Sequence, residues 1–262
     1  MSKENFRFQA HRGDSAFYPE NTLVSYDAAV KEGYQVIEMD SKFTRDNVCI
    51  MLHDGSVNRT CRTDAGETIA EKTPADTLTL AEIKALDAGL FKGEEFRGTR
   101  IPTLAETLVF LRGKGVTLKM DNVFESFNEE RFEIFCRTIK EAEMEDKIAF
   151  TCKTLPYFSW LAAKFPRAEM HYDGMLTDEA LTSAARIAGD RLTVWIPYDN
   201  HATAWFKGRK ADADFCAELH KYGKVGIWLI SEVSELDDAV NRFGADIIET
   251  NGTLKPQAIE LV

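Results

Sequence analysis

Residues 36–54, Val36-Ile37-Glu38-Met39-Asp40-Ser41-Lys42-Phe43-Thr44-Arg45-Asp46-Asn47-Val48-Cys49-Ile50-Met51-Leu52-His53-Asp54, decide how the whole chain is read. Two apolar, β-forming runs, 36–44 and 49–53, are joined by the polar turn Thr44-Arg45-Asp46-Asn47. Parallel strands need a crossover of about a dozen residues, so these two must form an antiparallel hairpin. Working outward, similar short runs recur at 6–11, 116–121, 148–152, 168–172, 192–198, 225–230 and 246–250, with helical patterns between them. Strand then helix, repeated, means a parallel α/β fold. With 49–53 set aside as a return strand, eight strand–helix units remain. That number predicts a TIM (β/α)₈ barrel with a small insertion after the second barrel strand.

The bulk properties agree. A length of 262 residues suits one barrel domain, read here as 1–262. Hydrophobic residues make up 44% and charged residues 29%, as in a folded protein rather than a disordered or membrane one. Forty-three acidic against 32 basic residues leave a net charge of -11, which disfavours nucleic acid or an anionic membrane as partner. A phosphate-handling site in such a chain needs a bound cation or a few well-placed basic residues. The five cysteines are scattered and never form a C-x-x-C pair, so neither a disulfide framework nor a zinc cluster is expected. No apolar run reaches signal-peptide or membrane-span length, so no stable membrane insertion is expected and the expected location is a reducing cytoplasm.

Capping boxes at Thr79/Glu82 and at Thr103/Glu106, the second directly after Ile101-Pro102, mark helix starts. Gly33, Gly189, Gly223 and Gly244 fall where C-terminal glycine caps would close helices. Residues 54–100, rich in Thr, Gly and charge, read as an insertion over the barrel mouth.

Glu38 and Asp40 are two apart on a strand and therefore face one way, among apolar Val36, Ile37 and Met39. Two buried carboxylates need a counter-charge. Either a divalent cation supplies it, with oxygen ligands suiting Mg²⁺ or Ca²⁺ better than zinc, or a Lys or Arg from the next strand does. His11-Arg12-Gly13 ends the first strand and His53-Asp54 ends the return strand, which puts two imidazoles on one rim. Such a pair can divide the proton transfers of phosphodiester cleavage.

Taken together, His11-Arg12-Gly13, Pro19-Glu20-Asn21-Thr22, Glu38-x-Asp40, Thr44-x-Asp46, His53-Asp54, Thr60, Ile101-Pro102-Thr103-Leu104-x-Glu106 and Trp228 resemble the glycerophosphodiester phosphodiesterase pattern, densely through Glu106 and thinly beyond. The resemblance implies a metal-dependent hydrolase that splits a small glycerophosphodiester into an alcohol and glycerol 3-phosphate. It implies Mg²⁺ or Ca²⁺ on Glu38 and Asp40, His11 and His53 as general acid and base, and Arg12 on a phosphate oxygen, with Trp228 also toward substrate. The family's third-strand Glu-x-Lys is altered: Asp121 stands at the glutamate position as third metal ligand, and Val123 replaces the lysine. Lys119, two residues before Asp121, would project to the same side. It either reaches the phosphate in place of that lysine or neutralises Asp121 or Glu38 below. The loop 200–210, with Trp205 and Phe206, could form a lid, and Trp195 and Tyr198 also stand near predicted strand ends. Two other readings stay open: a lyase forming a cyclic phosphate, and a non-catalytic phosphodiester-binding member.

Overall fold

In the computed structural model, which describes residues 6–199 and 209–258, eight parallel strands close into a barrel. The strands are β1 (Arg7–Ala10), β2 (Val36–Met39), β5 (Thr117–Met120), β6 (Ile148–Cys152), β7 (Glu169–Tyr172), β8 (Leu192–Pro197), β9 (Lys224–Trp228) and β10 (Ile247–Thr250). Their order around the barrel is β1-β10-β9-β8-β7-β6-β5-β2. A separate antiparallel pair, β3 (Ser41–Phe43) and β4 (Cys49–Met51), is the predicted hairpin. Helix α1 (Leu23–Lys31) follows β1. Helices α2 (Leu80–Ala85) and α3 (Leu104–Leu111) lie between β4 and β5. The remaining crossovers carry α4 (Glu129–Glu141), α5 (Leu155–Lys164), α6 (Asp178–Ala188), α7 (Ala213–Leu219) and α8 (Val233–Asp237), the last running into a π turn over Asp238–Arg242. Among the described residues no helix is long and apolar enough to cross a membrane.

One expectation is corrected. The run 36–44 is two strands rather than one. The barrel ladder on β2 ends where the Asp121 N–H bonds the Met39 carbonyl at 3.1 Å. The next carbonyl, that of Asp40, accepts instead from the Leu52 N–H at 3.1 Å, and the Asp40 N–H goes to the Asn21 side chain at 3.1 Å. With its backbone groups taken by other partners, the chain peels off the barrel at Asp40 and enters the hairpin.

Strand alternation sorts the side chains by chemistry. One set, including Phe8, Ile37, Met39, Leu118, Met120, Phe150, Met170, Val194, Ile227 and Ile248, joins the main apolar core with residues of the helices. The alternate set fills the barrel, and much of it is polar. Arg7 on β1 donates to Glu169 on β7 at 2.8 Å, which only an interior crossing allows. One layer up, Lys119 on β5 pairs with Glu249 on β10 at 3.3 Å and lies 4.0 Å from the Trp195 ring, while the Gln9 amide donates to Glu249. Lys119 and Glu249 are both buried. Trp195 on β8 is buried too, its indole N–H donating to His171 Nδ1 at 2.9 Å. The strand next to it accommodates the indole with Gly226, where a Cβ would come within 2.6 Å of the ring. Trp195 is therefore barrel filling and no part of a lid; residues 200–208 of the proposed lid, with Trp205 and Phe206, lie outside the described residues.

The capping boxes form as read: Glu82 and Glu106 accept from the Thr79 and Thr103 N–H groups at 2.7 and 2.8 Å. Gly33, Gly189 and Gly244 have φ of +84°, +60° and +73°, the left-handed values that close helix ends. Gly223 does not, and its constraint is close packing, since a Cβ there would sit 2.8 Å from the Leu192 carbonyl oxygen. Within residues 54–100, Val57, Cys61, Ala75, Ile83 and Ala88 form a second small core with Ile50, Leu52 and Ile101.

Removing one partner of a buried ion pair strands the other, so Lys119→Met is expected to lower the unfolding free energy by roughly 3–5 kcal/mol in a denaturant titration. His171 adds a pH dependence. Burial holds its pKa down at about 4 despite the Glu169 carboxylate. Between its ordinary value and that one, the unfolded chain binds the proton and the folded chain does not. Stability is thus fully present above about pH 6.5 and falls as pH drops toward about 4. Unfolding free energies measured across this window should show the slope, and His171→Gln should remove that part of it.

Candidate active site

The site is assembled on the C-terminal ends of the barrel strands, beginning with the turn after β1. Arg12 has φ of +60° and Gly13 of +81°, so two successive residues are left-handed. Only glycine fits at 13, where a Cβ would meet Ser25 Oγ at 2.5 Å. This turn aims the Arg12 N–H at Glu38 Oε2, 2.8 Å away. The Arg12 guanidinium lies 3.4 Å from Asp40 Oδ2 and 3.0 Å from Glu20 Oε1. Asn21, also left-handed at φ +53°, donates from Nδ2 to Asp40 Oδ2 at 2.9 Å. Its Oδ1 accepts from the buried Tyr26 hydroxyl at 2.9 Å. Thr22 then caps α1. The segment Pro19-Glu20-Asn21-Thr22 is thus a clamp on one carboxylate followed by a helix start.

Glu38, Asp40 and Asp121 converge: one carboxylate oxygen of each lies within 4.8 Å of the others. Glu38 and Asp40 are buried and Asp121 is half-buried. Burial, then the charges of Asp40, Glu249 and Asp121, push the Glu38 pKa well above the carboxylate range. Burial and Asp40 raise Asp121 in the same direction. Nearby Asp173 is pushed up to about 6 by burial and Asp121, while Asn122 donates to its other oxygen at 2.7 Å. Negative charge here exceeds what the local cations neutralise. An oxygen-only donor set of this size, short of positive charge, fits a divalent cation.

Both histidines are tethered through Nδ1. His11 Nδ1 lies 2.7 Å from Asn251 Oδ1, so its N–H points there and Nε2 is left as the acceptor. His53 Nδ1 makes the same kind of contact with Asp54 Oδ1 at 2.7 Å. Arg59, from the segment after β4, binds Asp54 at 2.7 Å and Glu20 at 2.7 Å. Hydrogen bonds from Arg59 and then His53 hold the Asp54 carboxyl down at about 2, against the effect of burial. A continuous relay of charge therefore runs His53–Asp54–Arg59–Glu20–Arg12–Asp40. Trp228 ends β9, half-buried against the main core, and its carbonyl accepts the Tyr198 N–H at 2.6 Å.

Three partners escaped the sequence reading. Glu249 lies on β10 and Asn251 directly after it, in a run that reads as a plain apolar strand, and Arg59 is one of many charges in a polar stretch. Lys119 was expected beside Asp121 or Glu38 or up at the phosphate; its ion-pair partner is Glu249, across the barrel.

Residues 11–133 match the glycerophosphoryl diester phosphodiesterase family. A glycerophosphodiester phosphodiesterase of Caldanaerobacter subterraneus subsp. tengcongensis is 36% identical over 143 residues, 53% of this chain and 54% of that protein. Glycerophosphodiester phosphodiesterase 1 of Mus musculus is 35% identical over 114 residues, 43% of this chain and 32% of that protein. The alignment thus spans about half or less of these relatives' length. The fold extends further. A putative glycerophosphoryl diester phosphodiesterase from Silicibacter pomeroyi superposes with a TM-score of 0.78 at 19% identity, over 96% of this chain and 92% of that one. An Oleispira antarctica phosphodiesterase, solved in complex with the product sn-glycerol-3-phosphate, gives 0.73 at 23% identity over 96% and 95%. Through residues 11–133, with their His-Arg-Gly turn and paired carboxylates, the chain is similar to the glycerophosphoryl diester phosphodiesterase family, and over nearly its whole length it shares the barrel fold of the solved structures.

Proposed function

We propose that the protein hydrolyses a small glycerophosphodiester to an alcohol and glycerol 3-phosphate, using a divalent cation, Mg²⁺ or Ca²⁺, held by Glu38, Asp40 and Asp121. The observation that carries this reading is the convergence of those three carboxylates beside the Arg12 guanidinium. The product in the Oleispira phosphodiesterase supports the same product here. Bound at the carboxylates, the cation supplies charge neutralisation for the phosphate.

The rest is the work of the chain's own groups. Arg12, fixed by Glu20, presents its planar fork to a non-bridging phosphate oxygen. Among the described residues His11 and His53 each keep one imidazole nitrogen free of protein partners, so one takes a proton from the attacking water and the other gives one to the leaving alkoxide. Asn251 and Asp54 hold the rings in the tautomer this requires. We take 1–262 as one domain and residues 54–100 as an insertion over the barrel mouth, a reading supported by the reach of Arg59 to Glu20. The five free, buried cysteines support a reducing, cytoplasmic setting.

A matrix of metals and glycerophosphodiesters, coupled to release of glycerol 3-phosphate, tests the reading. Chelator is expected to abolish turnover and Mg²⁺ or Ca²⁺ to restore it; Glu38→Gln should lose activity while folding normally. Full activity without metal would remove the cation from the reaction, and a cyclic phosphate in the ³¹P NMR spectrum would replace hydrolysis by a lyase reaction. His11→Ala and His53→Ala are each expected to lower kcat by about 10²–10⁴. The double variant should be little worse than the poorer single one, because groups acting as a unit are non-additive. Near wild-type turnover in either single variant would make that histidine structural.

A further inference from the structure

The family pattern brings a lysine to the phosphate from position 123, and here Val123 sits half-buried in the 3₁₀ turn Asn122–Ser126. Lys119 cannot substitute without breaking the cross-barrel pair, since its ammonium is buried 3.3 Å from Glu249 and over the Trp195 ring. Arg59 is committed to Glu20 and Asp54, and Arg12, already given one phosphate oxygen, is shared with Glu20 and Asp40. Lys42, on the hairpin, is differently placed.

Lys42 lies two residues beyond Asp40, on β3, in register with Ile50 of β4. Its neighbours Ser41 and Phe43 are buried on the other face of the hairpin, with Phe43 in the main core, while Lys42 is half-buried. The chain leaves the barrel at Asp40, so the lysine's place beside the two carboxylates is set by the hairpin that follows and not by the alternation of β2. The charges acting on its ammonium are those of the site itself: Asp40, Asp121, Asp54 and Arg12. Yet among the described residues it forms no ion pair within 4.0 Å, and its hydrogen bond, to the adjacent Ser41 carbonyl, is long at 3.5 Å. Arg12, Arg59 and Lys119 are each held by a carboxylate; Lys42 is held by none.

We propose that Lys42 binds a non-bridging oxygen of the substrate phosphate opposite Arg12, and so supplies from the hairpin the positive charge that Val123 does not supply from the barrel. This rests on the phosphodiesterase reading above and adds to it the identity of the second phosphate-binding cation. A half-buried ammonium with no protein partner loses little on turning to a ligand, whereas a lysine already paired would first have to give up its carboxylate.

The test compares wild type, Lys42→Met and Lys42→Arg, each loaded with Mg²⁺. Calorimetry with glycerol 3-phosphate gives Kd, steady-state kinetics give KM and kcat separately, and thermal melting reports the fold. Lys42→Met keeps the stem and removes the charge, and is expected to weaken glycerol 3-phosphate binding about ten- to hundredfold, the worth of one charge-assisted hydrogen bond. Its Tm should stay at the wild-type value, and Lys42→Arg should recover binding to within a few-fold. A Lys42→Met variant that binds glycerol 3-phosphate as tightly as wild type, with unchanged kcat/KM, overturns the inference. So does a lowered Tm with unchanged affinity, which would make the lysine structural. If wild type itself neither binds glycerol 3-phosphate nor hydrolyses any glycerophosphodiester, the phosphodiesterase reading falls first and this one with it.

Discussion

The cross-barrel pair of Lys119 and Glu249 is the constraint on which the rest of the interior is built. A barrel lined by alternate residues of eight strands must fill its axis, and this one fills it largely with ions and polar groups. Buried ions are tolerated only when paired. Arg7 with Glu169 closes the lower level and Lys119 with Glu249 the middle one. At the rim the matching is incomplete: among the described residues the ion pair within 4.0 Å of Glu38, Asp40, Asp121 and Asp173 is that of Asp40 with Arg12, which Glu20 shares. The imbalance lies where strand ends meet solvent, which is where a barrel can admit an ion and a substrate. Lower in the barrel the same excess would unfold it.

Local backbone geometry places that imbalance. The left-handed pair Arg12-Gly13 turns a backbone N–H onto Glu38, and Asn21 grips both the amide and the carboxylate of Asp40. The same Asn21 contact helps end β2, because the Asp40 amide it holds is no longer available to a barrel neighbour. Positioning a carboxylate and releasing the chain into the hairpin are one event. From there β3 and β4 lead to the segment carrying Arg59, so the far side of the site is built by residues that follow directly from its near side.

Much of this was legible in the sequence. The polar turn at Thr44–Asn47 is too short for a crossover, and that alone separated the return strand from the barrel strands. Glu38 and Asp40 stood out because two acids share one face of an apolar strand. What stayed hidden was anything depending on closure of the barrel. Glu249 and Asn251 lie about as far along the chain from Gln9 and His11 as the barrel allows, and only the β1–β10 pairing makes them neighbours. The direction of Lys119 followed from strand alternation, but its partner could not, since several acids lay within reach of so long a stem. The break at Asp40 was invisible because it depends on a side chain from another segment and not on a glycine or proline in the strand itself. Gly223, placed as a helix cap, turned out to answer to the bulk of Leu192.

Trp195 and Gly226 carry a consequence for the history of such a chain. The indole occupies the space that a side chain on the adjacent strand would need, and a Cβ at 226 would approach it to 2.6 Å. Each residue is therefore tolerable only in the presence of the other. A smaller residue at 195 would leave a void beside the Lys119 ammonium, and a larger one at 226 would expel the ring. Between lineages the two positions should change together or not at all, as a covarying pair, and a barrel that has crossed to a different pairing will have had to find another cover for its lysine.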